Sequence, residues 1–190
     1  MFLKQKLPLQ IFYILEKVKP VIWTSETNNP NHYYIFIPGE WFTTLNYILK
    51  KEVSFNQTFL ADVTAIDSLN YHSINSEFDL FLKKTRILPF YNYYCISLKL
   101  RLTFILKPEL TNSCESVDKI FKNANWGERE LSDMYGLIFF NKRDSRRILL
   151  DYSARYHPLK KDFNCEDVKD AYYDTLEERV MYVGNDSAEL

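Results

Sequence analysis

The sequence predicts an α+β fold, with helices packed on a mixed, mostly antiparallel sheet and an extended C-terminal arm. Runs of β-branched and aromatic residues come in pairs separated by turn residues, which is the pattern of hairpins. Amphipathic segments with helical spacing stand beside these pairs. The periodicity fades after about residue 140 of the 190 residues. We therefore expect an α+β domain over residues 1–137 and an extended, partner-docking C-terminal arm over residues 138–190.

The first part of the chain predicts a helix, a hairpin and a second helix. Apolar spacing followed by Pro20 predicts a helix over residues 9–19 in preference to a targeting peptide. Residues 21–24 and 32–37 flank a cluster of turn residues and predict a hairpin. Residues 41–51 are amphipathic and end in two lysines, which the negative end of a helix dipole favours.

The middle of the chain predicts three strands. Residues 58–66 form one strand-like run, and the polar residues 67–79 that follow indicate a loop. Residues 87–107 hold two strand-like runs, which we interpret as a second hairpin that Pro108 ends.

Two further helices are predicted before residue 137. Asn112 and Ser113 can cap a helix from residue 114 to residue 121 or 122, with Glu115 in its first turn. Residues 125–134 predict another helix, which Gly136 ends.

The composition limits the classes of function. The chain has 24 Lys and Arg against 25 Asp and Glu, a net charge of −1, so it lacks the basic surface that binds nucleic acid by bulk charge. Its three cysteines, at positions 95, 114 and 165, form no disulfide framework and no metal-ligand pattern, which fits a reducing compartment. No run of about 18 apolar residues is present, so no segment is predicted to span a membrane.

Known catalytic and cofactor motifs are not found in the sequence. The spacing of the four glycines excludes a Gly-rich phosphate loop or dinucleotide fingerprint. Glu128 and Glu130 are two residues apart on a predicted helix, so they point to different faces and cannot share a proton. Arg129 and Asp133 are four apart, and we expect them to pair. A hydrolase that uses Glu128 or Glu130 is kept only as a third hypothesis.

No metal site is predicted from the histidines. The chain has three, His32, His72 and His157, and no two of them have the spacing of metal ligands. We interpret His157 as an extended contact residue, because a residue before proline is disfavoured in the helical region.

The predicted arm carries basic residues interleaved with aromatic ones. These residues are Arg143, Arg146, Arg147, Tyr152, Arg155, Tyr156, Lys160 and Lys161. Such a strip can bind RNA. However, Asp144, Asp151 and Asp162 alternate with the basic residues. Arginine pairs with carboxylates and, with aromatic residues, dominates protein interfaces, so a mixed strip favours a protein partner. An organellar RNA-binding protein is the alternative.

Three blocks of sequence, in this order and at this spacing, resemble a known family. They read Trp126-x-Glu-Arg-Glu-x-x-Asp-Met-Tyr-Gly136, Arg146-Arg-Ile-Leu-x-Asp-Tyr152 and His157-Pro-Leu-Lys-Lys-Asp-Phe163. The chain resembles the 30 kDa subunit of respiratory complex I, which organelle genomes call NADH dehydrogenase subunit 9. The clear match covers residues 123–163. The predicted partner interface consists of Trp126, Glu128, Arg129, Glu130, Asp133, Arg146, Arg147, Asp151, Tyr152, His157, Pro158, Lys160, Lys161, Asp162 and Phe163.

The resemblance implies a non-catalytic core subunit in the peripheral arm of NADH:ubiquinone oxidoreductase. That enzyme carries electrons from NADH to ubiquinone and pumps protons. The subunit would support assembly and the quinone-reducing module and hold no cofactor, while FMN and iron–sulfur clusters are carried by other subunits. Its expected partners are the 49 kDa-type quinone-site subunit and adjacent iron–sulfur subunits. Its expected place is the matrix side of the mitochondrial inner membrane, and its Phe, Tyr, Asn, Ile and Lys content fits an A/T-rich organelle gene.

The chain departs from the family pattern inside the second half of the match. Lys142 and Arg143 stand where the family has a histidine and a proline, and Asn164 replaces a proline. Ser153 replaces a glycine, which removes a position that readily adopts positive φ. The resemblance therefore does not give the path of the loop there.

Overall fold

The computed structural model describes residues 23–26, 31–71, 85–108, 112–164 and 168–184. The predicted helix over residues 9–19 lies outside these ranges, as does most of the polar segment 67–79. In chain order, the elements are β1 (Trp23–Glu26), β2 (His32–Pro38), α1 (Gly39–Lys51), a 3-10 turn (Val53–Phe55), β3 (Thr58–Asp67), β4 (Ile87–Cys95), β5 (Leu100–Lys107), β6 (Ser113–Glu115), α2 (Ala124–Tyr135), β7 (Ile138–Phe140), β8 (Lys169–Asp174) and β9 (Arg179–Gly184).

Five strands form the main sheet in the order β1-β2-β5-β4-β3. The pairs β1–β2, β4–β5 and β3–β4 are antiparallel, and the central pair β2–β5 is parallel, with Ile35 opposite Phe104. Both predicted hairpins are therefore confirmed, as is the strand predicted over residues 58–66. The α+β fold class with a mixed, mostly antiparallel sheet is confirmed.

One face of the sheet packs against α1. Strand alternation places Ile35, Tyr91 and Phe104 on this face. The helix contributes Phe42, whose ring centroid lies 4.5 Å from that of Tyr91. The predicted apolar stripe included Trp41, but Trp41 is 39% exposed and Phe42 is 1% exposed. The helix predicted over residues 41–51 is confirmed and begins two residues earlier, at Gly39.

The second helix, α2, packs tightly against β3. A Cβ atom at Gly127 would lie 2.9 Å from Cβ of Val63, so only glycine fits at this crossing without a shift. Gly136 ends the helix with φ +72°, a left-handed conformation that favours glycine. The helix predicted over residues 125–134, with Gly136 as its end, is confirmed.

The helix predicted from residue 114 to residue 121 or 122 is wrong. Cys114 lies opposite Phe139, because β6 pairs with β7 in a small parallel sheet. A single turn follows, in which the N–H groups of Ile120 and Phe121 bond the carbonyl of Val117. Pairing with a strand that follows α2 overrides the local capping signal of Asn112 and Ser113.

The extended C-terminal arm is not confirmed. Residues 141–164 contain no helix or strand, but several of them bond to α2 and to the ends of β3 and β4. The two strands β8 and β9 then form an antiparallel hairpin. A boundary between residues 137 and 138 stays a prediction. None of the described helices has the length and apolar character needed to cross a membrane.

Candidate functional site

The residues of the three blocks divide into a group that bonds within the chain and a group that faces outward. Glu128 and Asp133 are buried, on the side of α2 that faces the protein. Glu130 is exposed, so the prediction that Glu128 and Glu130 point to different faces is confirmed. Two carboxylates separated in this way cannot act together on one substrate atom.

Glu128 joins α2 to the segment after β6. Its carboxylate accepts hydrogen bonds from Ser116 Oγ at 2.5 Å and from the backbone N–H of Val117 at 2.9 Å. The hydroxyl of Tyr91 donates a longer bond of 3.3 Å. Burial, and then the charge of Glu128, raise the pKa of Tyr91 well above its ordinary value. The glutamate therefore serves as a structural acceptor between a helix, a turn and β4.

Lys142 completes this buried network. Its ammonium lies 2.8 Å from Oε2 of Glu128 and donates to the carbonyl of Asn125 at 3.1 Å. The two side chains are 2% and 0% exposed. A buried ion pair of this kind is stable only when both partners are present and hydrogen-bonded. Thus Lys142 holds the start of the loop after β7 against α2.

Asp133 anchors the loop that contains the second block. Its Oδ2 accepts the N–H groups of Ile148 at 2.8 Å, Leu149 at 2.9 Å and Leu150 at 3.4 Å. Arg147 adds an ion pair at 3.5 Å to Oδ1. Burial acts to raise the pKa of Asp133, but the three N–H groups and Arg147 outweigh it and lower the pKa below its ordinary value.

The predicted pairing of Arg129 with Asp133 is wrong. Arg129 donates instead to the carbonyls of Arg146 at 2.7 Å and Arg147 at 3.0 Å. It also lies 3.5 Å from the carboxylate of Asp144. Arg129 and Asp133 therefore both bond to backbone groups of the loop and not to each other. Leaving these backbone groups buried and unpaired would cost more free energy than a surface ion pair provides.

The third block covers the C-terminal end of α2. The ring of His157 bonds through Nδ1 to the carbonyl of Asp133 at 2.7 Å, and the N–H of Leu159 bonds to the carbonyl of Met134 at 3.1 Å. These carbonyls belong to the last turn of the helix, where no helical partner is available. A Cβ atom at Gly136 would lie 2.7 Å from Nε2 of His157, so this contact also requires glycine.

The same block is fixed to the sheet through Arg86, which bridges Asp67 and Asp162. Arg86 donates from Nη2 to Asp67 at 2.8 Å and from Nη1 to Asp162 at 2.9 Å. Lys161 adds a backbone N–H to Asp67 at 3.0 Å and an ammonium bond to the carbonyl of Leu69 at 3.0 Å. Burial acts to raise the pKa of Asp67, but Arg86 and the backbone donors lower it to about 2. We call these five residues the Arg86 clip.

The remaining block residues lie near these anchors. Lys160 closes a turn by bonding its N–H to the carbonyl of His157 at 3.2 Å, with half-buried Pro158 between them. The N–H of Phe163 bonds to the carbonyl of Lys160, and the Phe163 ring lies 5.5 Å from that of Tyr156. The third block is therefore a folded turn held at both ends.

The outward group forms a second set. Trp126 is 65% exposed, Tyr152 is 73% exposed, and Glu130 and Asp151 are also exposed. The guanidinium of Arg129 lies 5.6 Å from the Trp126 ring. Arg146 pairs with Asp144 at 2.8 Å while 72% of its side chain stays exposed. We call Trp126, Glu130, Arg146, Asp151 and Tyr152 the outward face.

Several anchoring residues were not found from the sequence. They are Asp67, Arg86, Ser116, Lys142 and Asp144. Arg86 and Asp67 are distant in sequence from Asp162, so no local spacing reveals the clip. Lys142 was noted only as a departure from a family pattern. That departure, close to the block that contains Glu128, is the sequence signal that could have indicated the role of Lys142.

The described residues offer no group of three or more His, Cys, Asp or Glu that could hold a metal ion. His72 lies outside the described residues. His32 bonds to Thr103 at 2.9 Å, on the sheet face opposite α1. That face also holds an open cavity of about 600 Å³, lined by residues of β2, β3, β4 and β5 that include Tyr34 and Arg101.

The fold and the site define an α+β protein whose motif carboxylates fix loops to a helix. Comparison with known proteins gives the family. The sequence model of the respiratory-chain NADH dehydrogenase 30 kDa subunit matches residues 35–169, so the chain belongs to that family. The expectation from the three blocks is confirmed, and the match also covers β3, β4, β5 and the second half of β2.

Individual relatives agree with the family match. NADH-ubiquinone oxidoreductase subunit 9 of Paramecium primaurelia is 34% identical over 183 residues, which are 96% of this chain and 87% of the relative. The subunit 9 of Prototheca wickerhamii is 32% identical over 152 residues, 80% of this chain and 72% of the relative. A trypsin-resistant fragment of Nqo5 has the same fold, with a TM-score of 0.53 and 23% identity, over 71% of this chain and 98% of the fragment.

Proposed function

We propose that this chain is a non-catalytic core subunit of the peripheral arm of respiratory complex I, on the matrix side of the mitochondrial inner membrane. In this role it supports assembly and positions the quinone-reducing module while electrons pass from NADH to ubiquinone and protons are pumped. It holds no cofactor; FMN and iron–sulfur clusters belong to other subunits. The family match over residues 35–169 is the observation that carries this proposal.

The hydrogen bonds and ion pairs of the motif carboxylates support a structural role for these residues. Glu128 and Asp133 accept backbone N–H groups and pair with Lys142 and Arg147. A catalytic carboxylate must reach a substrate atom within hydrogen-bond distance. These two are satisfied by the chain itself, and Asp133 fixes the loop that carries Arg146, Asp151 and Tyr152.

The outward face is the proposed contact with the 49 kDa-type quinone-site subunit and its iron–sulfur neighbours. Trp, Tyr and Arg are the residues that contribute most binding energy at protein interfaces. Here Trp126, Arg146 and Tyr152 are each largely exposed. RNA binding by residues 146–161 has less support, because Arg146, Arg147 and Lys161 already bond to groups of this chain.

The proposal is tested by identifying the proteins that co-purify with this chain. An affinity-tagged chain is expected to migrate on a native gel with NADH dehydrogenase activity and to bring the quinone-site subunit with it. After rupture of the outer membrane, the tag should be protected from protease until the inner membrane is opened. Recovery only as a free monomer would overturn the proposal. Recovery with RNA that salt releases would favour the RNA alternative.

A further inference from the structure

The open cavity on the sheet face opposite α1 has a floor made by the sheet itself. Thr103 on β5 lies between Tyr34 on β2 and Asn92 on β4, because both of these residues are its direct partners in the strand register. Directly paired residues share a face of the sheet, so the three side chains form one row. The cavity volume is about 600 Å³. Sites for small organic ligands have volumes of about 300–1,000 Å³, so the cavity has the size of such a site.

Aromatic rings border the cavity on two sides. On β2, the ring centroids of His32 and Tyr34 lie 4.7 Å apart. On the far side, Phe59 of β3 and Tyr94 of β4 form an edge contact with a centroid distance of 5.8 Å. One strand separates β2 from β4, so these two strands lie about 10 Å apart. A gap of this width accepts a planar ring system that stacks on the bordering aromatic rings.

The polar floor of the cavity offers hydrogen-bond donors from Asn92. The hydroxyl of Thr103 donates to Oδ1 of Asn92 at 2.7 Å, and Nε2 of His32 lies 2.9 Å from the same hydroxyl oxygen. Because the single hydroxyl hydrogen goes to Asn92, the imidazole donates through Nε2. Burial, and then the charge of Arg101, lower the pKa of His32 and keep this ring neutral. The oxygen of the Asn92 amide is thus occupied, and within the described part of the chain its NH2 group has no partner.

Two exposed charged residues complete the lining. Arg101 is paired in register with His32 on one side and with Tyr94 on the other. Asp62 is the register partner of Asn92 on β3. Among the described residues, neither the guanidinium of Arg101 nor the carboxylate of Asp62 has an ion pair or a side-chain hydrogen bond. A guanidinium binds phosphate or carboxylate through two parallel hydrogen bonds, and a carboxylate accepts hydrogen bonds from hydroxyl groups.

These groups together define the chemistry of a ligand. It has a planar ring for the aromatic border, an acceptor for the Asn92 amide, an anionic group for Arg101 and hydroxyl groups for Asp62. A nucleotide has all four, since its base stacks on aromatic rings, its phosphate pairs with arginine and its ribose hydroxyls donate to a carboxylate. The acidic Asp62 and the net charge of −1 disfavour a chain of phosphates, so a single nucleotide fits better than an RNA strand.

We propose that this cavity binds a nucleoside monophosphate whose base carries a keto oxygen, with uridine monophosphate as the representative ligand. The base stacks beside Tyr34 and Tyr94, and its keto oxygen accepts the NH2 group of Asn92. The phosphate pairs with Arg101, and the ribose hydroxyls donate to Asp62. This binding activity goes beyond the proposed structural role and does not rest on it.

Isothermal titration calorimetry on the full-length chain tests the site with two matched nucleotides. Uridine and cytidine monophosphate differ at ring position 4, where uracil has an acceptor oxygen and cytosine a donor amino group. We expect uridine monophosphate to bind with a Kd on the order of 0.1 mM, and cytidine monophosphate to bind about fivefold or more weakly. Absence of saturable binding of uridine monophosphate up to about 5 mM overturns the proposal, as does equal or tighter binding of cytidine monophosphate.

Substitutions locate the binding in this cavity. Arg101→Gln should raise the Kd for uridine monophosphate about tenfold or more, through loss of the phosphate contact. Tyr94→Leu should raise it about fivefold or more, through loss of stacking. The control Lys119→Gln removes the same charge from an exposed residue that does not line the cavity, and it should leave the Kd unchanged. Arg101 is exposed, so its variant should keep the melting temperature of the parent. A parental Kd in the Arg101 variant overturns the proposal.

Three further ligands separate the nucleotide from its parts and from RNA. Inorganic phosphate and uridine should each bind about tenfold or more weakly than uridine monophosphate, because each supplies only part of the contacts. Equal affinity of either part overturns the proposal. A uridine hexanucleotide that binds more than about tenfold tighter, with an affinity that falls steeply with salt, assigns the cavity to an RNA strand and also overturns it. These titrations use the isolated chain, so their outcome is independent of whether the chain migrates with NADH dehydrogenase activity.

Discussion

The ammonium of Lys142 lies 2.8 Å from the carboxylate of Glu128, and both side chains are almost fully buried. The pair joins α2 to the loop that follows β7. Replacing Lys142 by Met should leave a buried, uncompensated carboxylate and lower the free energy of unfolding by about 3–5 kcal/mol. Urea denaturation followed by tryptophan fluorescence measures the change. Lys119 is exposed, and its replacement by Met should change the stability by less than about 0.5 kcal/mol.

A second change should recover part of this loss. Glu128→Gln added to Lys142→Met removes the buried charge. The amide oxygen can still accept the N–H of Val117, and the amide NH2 can donate to Ser116 Oγ, so the double variant should be more stable than Lys142→Met alone. If Lys142→Met is as stable as the parent, the ion pair has no role in the fold.

The Arg86 clip predicts a pH dependence of stability. Asp67 has a pKa of about 2 in the folded chain, below its ordinary value of 3.8. The unfolded state therefore binds more protons in acid, so the stabilisation is complete above pH 3.8 and is lost as the pH falls through 2. Its size is on the order of 1–2 kcal/mol.

The comparison that isolates this effect uses Asp67→Asn. We expect this variant to be less stable than the parent at pH 7, with the two stabilities converging as the pH falls from 4 towards 2. Thermal unfolding at a series of pH values measures the difference. Parallel pH curves for the two proteins would show that Asp67 does not gain stability from Arg86 and Lys161.

Gly136 and His157 should be energetically coupled. Gly136→Ala places a Cβ atom in a left-handed conformation and 2.7 Å from Nε2 of His157, so we expect a loss of about 1–3 kcal/mol. In a His157→Ala background the contact is gone and only the backbone strain remains. Gly136→Ala should therefore lower the free energy of unfolding by about 1 kcal/mol less in the His157→Ala background than in the parent. A double-mutant cycle of urea denaturation measures this difference. Equal losses in both backgrounds would contradict the contact.

The outward face should affect assembly and leave the stability of the isolated chain unchanged. Trp126→Ala removes an exposed ring and should lower the amount of assembled complex on a native gel several-fold, with a change in stability of less than about 0.5 kcal/mol. The matched control is Trp41→Ala, a partly exposed tryptophan on α1 that is not part of the outward face and should assemble normally. Normal assembly of the Trp126 variant would argue against its place in the interface.

The sequence predicted the sheet well because its signals are local. Each hairpin has paired β-branched and aromatic runs around a turn, and α2 has a periodic apolar face with Gly136 at its end. The helix wrongly predicted over residues 114–122 lies where the conformation is set by pairing with a strand distant in sequence. Cys114 pairs with Phe139 across the whole of α2, and no propensity of residues 112–122 reports that pairing.

The sequence located the candidate site, but it did not predict which partners each of the site's polar residues binds. The three blocks located the right stretch of chain, and the separation of Glu128 from Glu130 followed from helix geometry alone. The destination of each polar group did not follow, because Arg129 and Asp133 bond to a loop whose path depends on Lys142 and Arg86. The i, i+4 spacing rule for surface helices does not predict that backbone groups of a distant loop will bind Arg129 and Asp133 in place of their pairing with each other.

The parallel pairing of β2 with β5 has a consequence for synthesis on the ribosome. Strand β2 leaves the ribosome early with its partner β1, but its other neighbour, β5, follows only after α1, β3 and β4. Until then one edge of β2, with the aromatic residues Tyr33 and Phe36, has no strand beside it. Such late, non-local pairing slows folding and prolongs the exposure of an aggregation-prone edge. This edge of β2 is closed only when β5 emerges and completes the centre of the sheet.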